Sequence, residues 1–143
     1  MNAAALCGHT IAGVIEEASG RLARAGVASP RLDARLLLAH ILGTDQAALI
    51  RRSREEVDRA CCDKFKALVE RRAAREPVSR ILGEREFFGR RFAIAPVVLD
   101  PRPDSEILVE TALELAASRA DQSIRICDLG TGSGVLLVTL LAE

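Results

Sequence analysis

A chain of 143 residues holds one medium domain, or a small domain and part of another. Hydrophobic residues make up 49% and charged residues 28%, which suits a soluble globular chain and excludes intrinsic disorder. Lysine plus arginine equals aspartate plus glutamate at 20 each, so no net charge drives binding to nucleic acid. No run of about 18 apolar residues offers a membrane span, and the amino-terminal MNAAALCGHTIAGVIEEASG lacks the basic start of a secretory signal.

In chain order, Thr10 can cap a helix running to about Ala25, with Ile11, Val14, Ile15 and Leu22 on one side. Ser29-Pro30 starts a second helix, a capping hydroxyl followed by proline at the first helical position, and Gly43 ends it after Leu42. Thr44 opens a short third helix through about Ile50. Ser53 and Glu56 have the spacing of a capping box, and the helix behind them carries Phe65, Leu68 and Val69 on one face. Helices of this length joined by short loops predict a compact bundle over residues 1–75. The arginines Arg51, Arg52, Arg54, Arg71 and Arg72 are interleaved with acids and read as solvated helix faces.

Glu76-Pro77 breaks the helical pattern. Residues 81–99 are rich in β-branched and aromatic side chains, and Gly89-Arg90 between Phe87-Phe88 and Phe92-Ala93-Ile94 predicts a β-hairpin in a connector over 76–99. Asp100-Pro101-Arg102-Pro103-Asp104-Ser105-Glu106 is a stiff proline turn feeding a helix with Leu108, Ala112, Leu115 and Ala116 on one stripe. Residues 118–123 form a loop. A buried strand, Ile124 to Cys127, then ends in Asp128, followed by alternating glycines at 130, 132 and 134. Val135 to Ala142 is apolar nearly all round, as for a helix buried between a sheet and other helices. One strand and one short helix cannot cover each other, so residues from about 100 onward are expected to be loosely packed or to associate with another chain.

The cysteines Cys7, Cys61, Cys62 and Cys127 show no C-x-x-C spacing, and His9 and His40 show no pairing with them. The expectation is four reduced thiols in a cytoplasmic protein with no metal site.

Strand, glycine turn and helix together can receive a ligand at the turn, where a backbone without side chains and a helix amino terminus favour close approach and negative charge. The G-x-G-x-x-G register of a dinucleotide site fails, because Val135 or Leu137 stands where the third glycine is needed. The G-x-x-x-x-G-K-[ST] register of a phosphate loop fails at Val135 too. The spacing D-x-G-x-G-x-G, from Asp128 to Gly134, resembles the first motif of class I S-adenosylmethionine (AdoMet) methyltransferases. A glycine-rich turn with no ligand is the competing reading.

The order helical bundle, GEREFFGRRF, PRPDSE and DLGTGSG resembles the amino-terminal part of the HemK-type peptide chain release factor glutamine methyltransferases, over nearly the whole chain. ARLLLAHILG and EPVSRILGEREFFG are also similar to that family, and PRPDSE is close to its PRPDTE, Ser105 keeping the hydroxyl. The resemblance implies an α-helical bundle over residues 1–75 that helps engage the substrate, a β-hairpin connector over 76–99, and over 100–143 the start of an α/β, Rossmann-like methyltransferase domain, truncated after its first strand and turn. It implies AdoMet as methyl donor and no metal. Gly130, Thr131, Gly132, Ser133 and Gly134 would line AdoMet, Asp128 would sit at its methionine end, and Arg102, Pro103, Ser105 and Glu106 would form a lip beside it. PRPDSE can equally be a stiff linker and a helix start. The implied partner is a class I peptide chain release factor, methylated on the glutamine of its Gly-Gly-Gln motif, with no nucleic acid or membrane contacted directly. The family's Asn-Pro-Pro-Tyr motif is absent, the only asparagine being Asn2. No catalytic residue is therefore assigned, and the chain alone is expected to be inactive. A non-catalytic release-factor-binding module, a remnant of a cut gene and a fragment of another AdoMet-dependent methyltransferase are the alternatives.

Overall fold

The computed structural model describes residues 6–95, 97–119 and 123–143. It is mainly helical, with two small antiparallel strand pairs, and divides into two compact units, Met1–Leu82 and Gly83–Glu143.

The first unit contains β1 (Leu6–Thr10), α1 (Ile11–Arg24), α2 (Pro30–Leu42), α3 (Gln46–Arg51), β2 (Glu56–Asp58), α4 (Arg59–Ala73) and α5 (Val78–Leu82). Apolar residues recurring at helical spacing build its core: Ile11, Val14, Ile15, Ala18 and Leu22 from α1, Ala34, Leu37 and Leu38 from α2, and Phe65 and Val69 from α4. Leu22, Leu37 and Leu38 are fully buried, each contributing about 1.5–3 kcal/mol of apolar transfer. Thr10 caps α1 as expected, its hydroxyl accepting the Gly13 amide at 3.2 Å. Gly43 closes α2 in a left-handed conformation that a side chain would strain (φ 60°).

Other caps differ from expectation. Ser29 makes no side-chain cap bond, although Pro30 does start α2. Asp45 rather than Thr44 caps α3, accepting the Ala48 amide at 2.6 Å. The Ser53–Glu56 capping box does not form. Glu56 lies in β2, which pairs with β1 through Leu6–Asp58 and Thr10–Glu56, and α4 starts three residues later with Asp58 accepting the Cys61 amide at 2.9 Å. A carboxylate next to the helix start is a better acceptor than a hydroxyl farther away, and the strand pairing holds 56–58 extended. Cys61 and Cys127 are free thiols, whereas Cys62 is disulfide-bonded, which corrects the expectation that all four cysteines are reduced.

The second unit contains the hairpin β3 (Glu84–Phe87) and β4 (Arg90–Ala93), a 3-10 turn over Pro103–Ser105, α6 (Glu106–Ala117) and α7 (Val135–Ala142). The hairpin is present, but its two central residues are Phe88 and Gly89, since Phe87 pairs with Arg90. The buried strand expected at Ile124–Cys127 is not formed. These residues have no regular secondary structure and no strand pairing, and Ile124 and Ile126 are half exposed. A strand needs a ladder partner, and none among the described residues lies beside it. The core of this unit is small: Phe87, Val109 and Val135, with Phe88, Phe92, Leu113, Leu136 and Leu140 packed around them. α7 is therefore not enclosed as expected. Val135 and Thr139 are buried, while Val138 and Leu141 face outward. With Ile107, Leu108, Leu115 and Leu129 they leave a broad exposed aliphatic surface, in line with the expected loose packing after residue 100. Among the described residues, no helix is long and apolar enough to cross a membrane.

Candidate functional site

The Asp128–Gly134 segment is a tight turn leading into α7. Gly130, Gly132 and Gly134 all have left-handed backbone, with φ of 80°, 56° and 75°. A side chain at such a position costs about 1–2 kcal/mol. A Cβ added at Gly130 would meet no atom within 4 Å, and those at Gly132 and Gly134 would meet only ordinary contacts at 3.7 Å. Backbone conformation, not crowding within the protein, therefore requires these glycines, and the face above Gly130 is open. The turn is closed by the Gly134 amide donating to the Thr131 carbonyl at 2.8 Å and by the Thr131 hydroxyl donating to the Asp128 carbonyl at 2.9 Å. Gly134 begins α7 without a side-chain cap, so the leading amides of this helix have no side-chain acceptor.

Asp128 is half-buried, and its Oδ2 is buried with no hydrogen-bond partner. A buried, unpartnered carboxylate oxygen carries a desolvation penalty that a cationic donor would offset. The turn thus offers amide donors at the helix start and an unpaired acceptor at its first residue, Asp128. That donor set fits a zwitterionic amino-acid end, a carboxylate at the helix and an ammonium at Asp128.

The PRPDSE residues are placed differently from one another. Arg102 is exposed, and its carbonyl accepts the Ser105 amide at 3.0 Å. Ser105 is half-buried at the start of α6 and its hydroxyl makes no cap bond. Neither side chain is bonded to the glycine turn among the described residues. Glu106 is engaged with the hairpin, its Oε1 accepting the Phe88 amide at 3.0 Å. Asp100, just ahead, pairs with Arg85 at 2.6 Å. Sequence reasoning missed both links, because each joins residues at least fifteen positions apart and neither has a spacing signature.

The helical unit carries a separate feature, a cleft of about 600 Å³ between α1 and α4. Its floor includes Val14, Phe65 and Val69, and Arg24, Arg59 and Lys66 line its rim. Arg21 and Glu70 join the two helices through a bidentate pair at 3.0 and 2.8 Å.

The PrmC N-terminal domain family matches residues 14–83, which is most of the helical unit. A release factor glutamine methyltransferase of Nitratidesulfovibrio vulgaris is 44% identical over 143 residues, all of this chain and 48% of that protein. Its counterpart in Burkholderia pseudomallei is 49% identical over 112 residues, 78% of this chain and 39% of that protein. The chain belongs to the release factor glutamine methyltransferase family. A bifunctional methyltransferase of Rickettsia prowazekii is also similar, at 34% identity over 94% of this chain and 29% of that protein. The chain spans about half the length, or less, of these curated relatives. In the 44% relative the similarity covers the whole chain, so it extends past the helical unit and through the glycine turn.

Proposed function

We propose that these residues serve an AdoMet-dependent protein methyltransferase that modifies the glutamine side-chain amide of the Gly-Gly-Gln motif in class I peptide chain release factors. The observation that carries this reading is the glycine turn with its uncapped helix start and the unpartnered buried oxygen of Asp128. AdoMet, when bound, supplies an electrophilic methyl group on a sulfonium. The chain's own residues bind and orient: amides at the start of α7 receive the carboxylate, Asp128 receives the ammonium, and Gly130, Thr131, Gly132, Ser133 and Gly134 allow close approach. Arg102 and Ser105 sit at the rim of this site in the same reading. Positioning of this kind is a large share of what a transferase must provide. The grip on the target amide requires an Asn-Pro-Pro-Tyr motif, which these 143 residues do not contain, so the residues in hand supply the methionine end alone. Residues 1–75 form the release-factor-docking domain, 76–99 the connector, and 100–143 the beginning of the Rossmann-like domain. The reaction places the protein in the cytoplasm, where release factors act.

A titration with AdoMet, followed by calorimetry and by amide chemical shifts, tests the reading. Shifts should concentrate at residues 130–134 with a dissociation constant weaker than about 100 μM, or about −5.5 kcal/mol. Asp128→Asn should weaken them further. Absence of any shift in the turn at millimolar AdoMet would remove the cofactor assignment, and markedly tighter binding would show that the half-site needs no further residues.

A second reading has its own support. The helical unit holds by far the larger core and the α1–α4 cleft, which suits a release-factor-binding module that works without catalysis.

A further inference from the structure

The turn of the β3–β4 hairpin contains a residue that resists it. Phe88 and Gly89 both have left-handed backbone, with φ of 50° and 69°. Two-residue hairpin turns of this twist suit Asn-Gly, and phenylalanine at the first central position is sterically disfavoured. What holds Phe88 there comes from outside the hairpin. Its amide donates to the carboxylate of Glu106, the first residue of α6. A charged acceptor makes this a strong bond, and the helix start favours the carboxylate's charge. The Arg85–Asp100 pair ties the same hairpin to the segment before α6.

The hairpin in turn holds α7 at both ends. Phe87, next to the latched residue, is 1% exposed and shares one cluster with Val109 of α6 and Val135, the first residue of α7. Val135 directly follows Gly134. Arg90, the ladder partner of Phe87, reaches Glu143 at 2.7 Å and the Ala142 carbonyl at 3.4 Å, at the far end of α7. We propose that Glu106 is a positioning residue for the glycine turn: it fixes Phe88, which aims Phe87 into the cluster, and the cluster sets Val135 and with it the start of α7 at Gly134. The value of this for methyl transfer rests on the cofactor reading above; the coupling itself does not.

The test uses the full chain and the exchange of the Gly134 amide, which closes the turn onto Thr131. Glu106→Ala should speed that exchange about tenfold, the equivalent of one lost charge-assisted bond. Glu106→Gln keeps an acceptor and should stay within about twofold of the parent, as should amides in the middle of α6. In a Phe88→Gly background glycine adopts the turn unaided, so adding Glu106→Ala should change Gly134 exchange by less than about twofold. AdoMet-induced shifts at Gly130 and Gly132 should weaken in Glu106→Ala and return in Glu106→Gln. Unchanged Gly134 exchange in Glu106→Ala, or equal losses in the Ala and Gln variants, would overturn the proposal. If Glu106→Ala unfolds the unit, recovery in the Phe88→Gly double variant supports the latch, and its failure to recover overturns it. A parent chain that shows the exchange pattern but no AdoMet shifts would sink the cofactor reading and leave the coupling standing.

Discussion

Single carboxylates do much of the local work in the helical unit, and their titration can be read from stability. Asp58 caps α4, and hydrogen bonds from the Cys61 side chain and backbone hold its carboxyl below the ordinary value of 3.8. A folded-state value below the unfolded one means that the contribution is complete above the unfolded value and is lost as pH falls through the folded one. The melting temperature should therefore fall as pH is lowered below about 4, and Asp58→Asn should flatten that slope. The same hydrogen bond, with burial adding to it, pushes the Cys61 thiol up, so Asp58→Asn should quicken alkylation of Cys61 at mildly alkaline pH by freeing thiolate. The Arg72–Asp33 pair is a different case. It joins α4 to α2 at 2.7 Å with the side chains only 18% and 11% exposed, and Arg72 also donates to the Glu76 carbonyl at 3.1 Å. Arg72→Ala leaves a carboxylate stranded and should lower stability by about 3 kcal/mol in urea melts. Adding Asp33→Asn should recover part of that loss.

Among the elements, the contrast between α1 and α7 shows what can be read locally. α1 was legible because five core residues recur on one face and Thr10 marks its start. The starts of α3 and α4 were misplaced because Asp45 and Asp58 outcompete Thr44 and Ser53 as acceptors, and because β2 pairs with a segment almost fifty residues earlier. The Asp128–Gly134 turn was legible for a local reason as well, since alternating glycines supply positive φ whatever surrounds them. Burial of the Asp128 oxygen and the Glu106 latch were not, since both depend on neighbours distant in the chain. The Ile124–Cys127 strand failed for the same reason, as periodicity proposes a strand but only a partner makes one. α7 also carries an unsatisfied polar group. Thr139 is fully buried, and its hydroxyl has no partner in an otherwise apolar helix. Thr139→Val removes that unpaired group at nearly constant shape and should stabilise the second unit by about 0.5–1 kcal/mol, measured as slower amide exchange in α7.

At the scale of the molecule, the helical unit and the unit that follows it differ in how much apolar surface each encloses, and this is where the family match and the glycine turn divide. The family domain covers residues 14–83, and the turn lies in the sparsely packed remainder. The aliphatic surface formed by Ile107, Leu108, Leu115, Leu129, Val138 and Leu141 has a bearing on handling. The chain is isoelectric near pH 6.7 with a net charge of zero. At neutral pH nothing offsets attraction between such surfaces on separate molecules. The protein should thus behave as a poor colloid near pH 7 and disperse best a unit or two away from it, where like charge keeps molecules apart before their side chains can touch.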